Sequence, residues 1–292
     1  MVNELQRSPD RPRSVATAPI PRLDRPWQHV AMLARSAVFD IYGDHLLSST
    51  KWAPVAALVQ LTGVIDIAPA ATRTAISRMA REGWLTAQTR DGARGYAMTP
   101  RAAQRLATAG QRIYADHTPE WDGRWHIVVV EHSGDRSARA RVRASMEYLG
   151  YARLAVDTWI APRASDDLAG TLGPGYREFH SELSGDPRQF ASSMWDLEQI
   201  ADAHRQYDRW LTELVQGFPD DASDEERYLT RTLAVHEWRK FLFRDPGLPP
   251  EVLPDAWPGT VASERFRDVA ARLRPGASAY VESCIRTALG RA

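Results

Sequence analysis

Cysteine occurs once, at Cys284, in a chain of 292 residues. An internal disulfide framework and any zinc site built from clustered cysteines are excluded, and the composition suits the cytoplasm. Lysine is almost as scarce: Lys51 and Lys240 are the two lysines among 37 basic residues. The preference for arginine reads as a compositional bias, so the positions of the basic residues inform more than their number. No apolar run approaches the roughly 18–20 residues that cross a bilayer, which speaks against an integral membrane protein. Catalytic signatures are missing as well. His236-Glu237 opens like a zincin helix, but Lys240 stands where the second histidine ligand belongs. Gly173-Pro174-Gly175 lacks the Lys-Ser/Thr of a phosphate loop, and there is no Gly-x-Ser-x-Gly elbow. Neither enzymatic activity nor a cofactor or metal is expected.

The chain does contain enough apolar material for more than one core. With 43% hydrophobic and 25% charged residues it has the balance of a soluble globular protein, and its length accommodates two or three domains. The formal net charge is zero, but its sign is divided. Residues 1–117 hold 15 Lys/Arg against 9 Asp/Glu, a balance of +6; residues 118–292 hold 22 against 28, a balance of −6. Residues 1–26 mix five arginines with five prolines and have no apolar block of a secretory signal, so they read as a disordered basic tail.

Residues 27–117 have the pattern of a winged helix-turn-helix. Leu33, Ala37, Val38, Ile41 and Tyr42 fall at helical spacing, and Gly43 is expected to stop that first helix. A second helix is expected from Trp52 to Leu61, with Val55, Leu58, Val59 and Leu61 apolar. A third follows Pro69, a residue favoured in a first turn, and runs to Glu82 before Gly83. On it Ala75, Ile76 and Met79 repeat on one side and Arg73, Thr74, Ser77, Arg78 and Arg81 on the other. Guanidinium groups grip guanine O6 and N7 in bidentate fashion and hydroxyls reach phosphates or bases, which makes this the expected recognition helix. Residues 84–88 and 95–98 read as strands around an Asp91-Gly92 hairpin signal, with Arg90 and Arg94 at the tip to meet the phosphate backbone. In an arbitrary helix such arginines usually just solvate a face. On a third helix followed by a basic hairpin they select contact with double-stranded DNA. Thr99-Pro100 then opens a connector helix through Tyr114.

Farther on, Ile127-Val128-Val129-Val130 within Arg124 to His132 reads as a buried strand, Arg136 to Leu149 as a helix and Leu154 to Ile160 as a second strand, an α+β region. From Trp195 the pattern is helical: Trp195 to Leu214, Ser223 to Phe243 and, after a Pro-rich link at 246–258, a last helix to about Leu289. Seven of the ten tryptophans lie in residues 121–292. Trp125, Trp159, Trp195 and Trp238, with His236 and Arg239 three apart on one helix, are the candidate effector-binding residues, although plain core packing is the commoner role for such aromatics.

The order of several stretches resembles the PaaX family of bacterial repressors of aromatic catabolism. They are Phe39-Asp40-Ile41-Tyr42-Gly43-Asp44, Thr72 to Met79 with Glu82-Gly83-Trp84-Leu85, and Trp121-Asp122-Gly123-Arg124-Trp125. Thr158 to Arg163, Met194-Trp195-Asp196-Leu197, His236-Glu237-Trp238-Arg239-Lys240 and Asp245 to Pro250 continue the series, so the resemblance spans roughly residues 31–282. It implies a multidomain α+β chain: the winged-helix domain at 27–117, a ferredoxin-like middle domain at 118–193 similar to the CRISPR adaptation nuclease, and a helical effector-binding and dimerisation domain at 194–292. It further implies a homodimer that leaves its operator when an aryl-coenzyme A thioester, typically phenylacetyl-coenzyme A, binds. The nuclease-like fold does not import nuclease chemistry, since Glu131 at the end of the first middle strand has no carboxylate cluster around it. The alternatives are a regulator answering another small aromatic and a DNA binder that ignores ligands. Replacement of Arg73 or Arg78 by Ala is expected to abolish specific operator binding without unfolding the protein; unchanged affinity in a mobility-shift titration would remove the recognition-helix assignment.

Overall fold

The computed structural model describes residues 32–114, 120–131 and 136–291. The tail expected at 1–26, and His132 at the end of the first middle strand, lie outside the described residues. Helix α1 (Ala34–Asp40) runs directly into a π-helical turn, Ile41–Leu46. Gly43 therefore does not end the helix. Burial of Ile41, Tyr42 and Leu46 outweighs the cost of a helical glycine, about 1 kcal/mol. A Cβ at Gly43 would already stand 3.4 Å from Leu106, so the glycine allows close packing there. Leu33, expected on the apolar stripe, is 74% exposed ahead of the helix.

Trp52 does not begin a helix either. Trp52–Pro54 form strand β1, and α2 (Val55–Gly63) starts only after Pro54, whose extended ψ of 148° closes the strand. A residue before proline is driven from the helical region, which fixes this boundary. Helix α3 (Pro69–Arg81) ends in a Schellman motif: the Gly83 N–H bonds the Ala80 carbonyl at 3.1 Å and the Trp84 N–H the Met79 carbonyl at 2.9 Å, with Gly83 at φ 75°. A buried hydroxyl pair, Thr62 and Thr72 at 2.7 Å, pins α2 to α3.

Strands β2 (Leu85–Arg90) and β3 (Ala93–Met98) close on Asp91 and Gly92, with φ of 49° and 76°. Two positive φ values in a two-residue loop match the twist of antiparallel strands. The hairpin is thus tighter than the six-residue loop the sequence suggests, and Arg90 and Arg94 belong to its strands. β1 joins the other edge of β3, giving the order β1-β3-β2. Where they cross, the Trp52 indole N–H donates to the Gln88 carbonyl at 3.1 Å above Gly95. Helix α4 (Pro100–Tyr114) follows, its first turn capped by Thr99 Oγ1, which accepts from the Ala102 N–H at 3.2 Å.

The middle region runs β4 (Arg124–Val130), α5 (Arg136–Tyr148), β5 (Ala152–Ala155), β6 (Thr158–Ala161), α6 (Leu168–Leu172) and β7 (Tyr176–Glu182). All pairs are antiparallel in the order β5-β6-β4-β7, so this is a ferredoxin-like βαββαβ sheet. The strand expected over Leu154–Ile160 is a hairpin folded about Val156 and Asp157. Strand β7, exposed along nearly its whole length, carries no apolar alternation that would have announced it.

The chain ends in α7 (Pro187–Met194), α8 (Leu197–Val215), α9 (Asp224–Trp238) and α10 (Pro258–Ala288). The helix expected to reach Phe243 tightens after Trp238 into a 3-10 turn, Arg239–Phe243. Helices α9 and α10 do not form a core apart from the N-terminal region. Tyr228, Ala277, Val281 and Cys284 are buried with Val38, Leu58, Leu61 and Ile76 in one cluster, and Phe266 and Leu273 join α8 in the next. The described residues at 32–114 and 194–291 therefore share their interior. No helix among the described residues is long and apolar enough to cross a membrane. Gly95→Ala would drive a Cβ to 2.5 Å from the Ala53 carbonyl oxygen and 2.6 Å from the Trp52 ring. Overpacking of this kind costs roughly 1–3 kcal/mol, and a fall of that size in urea-denaturation stability is expected.

Candidate nucleic-acid interface and ligand cleft

Helix α3 buries Thr72, Ala75, Ile76 and Met79 and leaves Arg73, Thr74, Ser77, Arg78 and Arg81 at the surface. The amphipathic pattern places each of these five as the sequence predicts, but their chemistry is not equivalent. The Thr74 hydroxyl donates to the Ala70 carbonyl at 2.9 Å. Arg78 Nε lies 2.9 Å from Glu82 Oε1, and Arg35 Nη1 of α1 lies 2.7 Å from the other oxygen of the same carboxylate. The hydrogen bond from Arg78, helped by the charge of Arg35, holds the Glu82 carboxyl below its ordinary range. On the hairpin, Arg90 lies back over the Trp52 ring, 5.2 Å from its centroid, and donates to Gln88 Oε1 at 3.0 Å. It is not at the tip. Arg94 is exposed opposite Thr89, and Asp91 at the turn pairs with Arg291 at 3.1 Å.

The candidate effector residues do not converge. Trp125 is enclosed in an aromatic cluster with Trp121, Phe190 and Trp195, the Trp195 ring stacked 6.0 Å away. Trp159 is buried in a separate cluster on the other side of the sheet. Trp238 packs against Phe266 at 4.9 Å and donates its indole N–H to the Ile113 carbonyl at 3.1 Å. His236 and Arg239 do come together, on one acid: Asp40 meets His236 Nδ1 at 2.7 Å and Arg239 Nε at 2.5 Å. Of the six, Arg239 alone borders the cleft enclosed by α1, α4, α5 and the 239–243 turn.

That cleft has a volume of about 460 Å³ and is walled by Phe39, Trp84, Leu106, Ile113, Tyr148 and Leu242, with Arg35, Arg105 and Arg239 around it. Arg105 stands 5.9 Å from the Trp84 ring centroid and Arg35 5.5 Å from that of Phe39, while Trp84 and Phe39 meet edge to face at 4.8 Å. Its floor is electrostatic. Asp44 takes Arg231 Nη2 at 2.6 Å and the Tyr114 hydroxyl at 2.5 Å, with both members of the Asp44–Arg231 pair about 95% buried. Burial alone would raise the Asp44 carboxyl, but His45, Arg231 and Tyr114 together hold it below its ordinary value of 3.8. For Asp40 the balance is reversed, and burial pushes the carboxyl up against the pull of His236 and Arg239.

Comparison with known proteins decides the family. Residues 33–102 match the PaaX-like protein family, 118–176 the PaaX protein central Cas2-like domain, and 195–283 the PaaX-like protein C-terminal domain. The chain belongs to the PaaX family. It is 26% identical over 288 residues to the transcriptional repressor PaaX of Escherichia coli strain K12, a match covering 92% of this chain and 90% of that protein. An uncharacterized protein from Mycobacterium tuberculosis has a similar structure, with a TM-score of 0.58 and 25% identity over 86% of this chain and 99% of that one. The family is one of transcriptional regulators and not of enzymes.

The stretches that carry the PaaX resemblance at 39–44 and 236–240 are far apart in sequence and meet at Asp40. Sequence reasoning singled out His236 and Arg239 but gave Asp40, Asp44, Arg231, Arg35 and Arg105 no role. The available signal was two acids four apart in a stretch rich in apolar residues, a spacing that puts both on one face of a helix. Asp44→Ala would leave Arg231 buried without its carboxylate, and such a loss costs about 3–5 kcal/mol. Because the folded pKa of Asp44 lies below the unfolded value, its contribution is complete above that value and disappears as pH falls through the folded one. Denaturation of the variant is expected to show both the loss at neutral pH and a flatter acid limb than wild type.

Proposed function

We propose that this protein is a DNA-binding transcriptional repressor of an aromatic catabolic operon. In this reading α1, α2 and α3 with the β2–β3 hairpin form a winged helix-turn-helix, α3 enters the major groove, and the hairpin adds a backbone contact through Arg94. The observation that carries it is the face of α3: Arg73, Ser77 and Arg81 are exposed on a helix whose opposite face is locked by the Thr62–Thr72 pair and the Ile76–Met79 core. Arg78 contributes less freely, being held by Glu82, and Arg90 supports the sheet beneath the hairpin. The protein acts as a homodimer in the cytoplasm, with two α3 helices in successive grooves of a near-palindromic operator. An aryl-coenzyme A thioester such as phenylacetyl-coenzyme A releases it by favouring a dimer with a different helix spacing. The name of the Escherichia coli relative, a transcriptional repressor, supports the regulatory role.

The test is titration of the protein with DNA from upstream of its own gene, repeated with aryl thioesters and the free acids. Specific binding that one thioester reverses is the expected result. Binding that no ligand disturbs would leave a repressor without this effector class, and absence of binding would overturn the reading.

A further inference from the structure

We propose that the cleft between α1, α4, α5 and the 239–243 turn is the effector site, and that it takes an aromatic group bearing negative charge. The inference rests on the repressor reading for its regulatory meaning, but the site itself stands on its walls. A ring entering the cleft meets Trp84, Leu106 and Tyr148, a lining that suits an apolar planar group. Around these walls stand Arg35, Arg105 and Arg239, the donors that suit carboxylate or phosphate oxygens. The two acids of the 34–46 helical stretch are already engaged, and Asp167, beside α6, is a third carboxyl on the lining. Asp40 is shared by His236 and Arg239, and Asp44 is held by Arg231. An incoming anion therefore meets Arg105 directly and competes with Glu82 for Arg35 and with Asp40 for Arg239.

The same residues tie the cleft to the DNA-binding face. Arg35 borders the cleft and also grips Glu82, which holds Arg78 on α3. Trp84 lines the cleft and directly follows the Schellman end of α3. Arg239 borders it while pairing with Asp40 of α1. An anion that draws Arg35 from Glu82, or Arg239 from Asp40, acts on α1 and on the end of α3 together. Ligand and DNA thereby compete through one helix pair, with no need for overlapping sites.

Gly110 gives the experiment. It lines the cleft from α4, and a Cβ built there meets nothing within 4 Å, so the first carbon of a side chain has room at this position. Gly110→Phe should bind operator DNA like wild type but need at least tenfold more aryl thioester for release, while Gly110→Ala responds as wild type does. Arg105→Glu should raise the required concentration by a similar factor. Phenylacetyl-coenzyme A and phenylacetate serve as separate arms, distinguishing a phosphate-bearing conjugate from a free carboxylate. Calorimetric titration of the DNA-free protein with the same two probes reads the site independently of the operator. Equal release of wild type and Gly110→Phe by the same concentrations overturns the cleft assignment and leaves the repressor reading intact. Heat of binding in wild type that Gly110→Phe abolishes supports the cleft even if no DNA is bound, in which case the repressor reading fails alone. No binding of either probe at millimolar concentration overturns the proposal.

Discussion

The architecture depends on a set of charges withdrawn from water. Asp40 and Asp44, one turn apart on α1 and its π-helical extension, face Arg231, His236 and Arg239 on α9 and the turn beyond it. Pairs of this kind add little net stability over well-packed apolar residues, because desolvation offsets most of the attraction. Their force is in discrimination. A shift of α9 by one turn against α1 would strand a carboxylate or a guanidinium in the interior, a cost that the present register avoids. Tyr114, reaching Asp44 from the end of α4, brings the connector helix into the same arrangement.

This register sets what can be transmitted. Helices α9 and α10 are built into the interior of the N-terminal helices, so α1 and the C-terminal helices are packed as one body. Tyr228 illustrates the coupling, since it is buried among N-terminal residues and donates to the Leu61 carbonyl of α2 at 3.3 Å. The ferredoxin-like sheet is attached differently. It contributes α5 and α6 to one wall of the cleft and meets the 244–248 link where Gly150 approaches Pro246 so closely that a Cβ would lie 2.7 Å from its carbonyl oxygen. The cleft is consequently bounded by parts that belong to different packing units, a place where a ligand can bias their arrangement.

Much of the fold was legible because it rests on local rules. Pro69 and Gly83 bracket α3, Asp91-Gly92 makes the hairpin, and the two stripes of α3 separate the core side from the exposed side, each a signal carried by residues close in sequence. Errors fell where long-range contacts override local preference. Gly43 continues a helix because Ile41, Tyr42 and Leu46 are buried by partners far along the chain. Trp52 is a strand residue because β3 is available to pair with it, and β7 forms on an edge with no apolar alternation of its own. Arg90 shows the same limit at the level of a side chain: its position next to the turn was clear, but its place over Trp52 required the third strand.

The candidate site divides along the same line. The sequence by itself determined which residues of α3 face outward, the basic character of the first part of the chain, and the motif series that marks the family, since these follow from periodicity, charge and residue order. The tertiary structure alone decided that the four tryptophans do not share a pocket, that His236 and Arg239 are committed to Asp40, and that Arg35, Arg105 and Arg239 stand around one cleft. Those three arginines come from two helices and a turn, the outermost separated by 204 positions. Periodicity reports which face of a helix is buried, but not which other face it is buried against, and a binding site is made by that second choice.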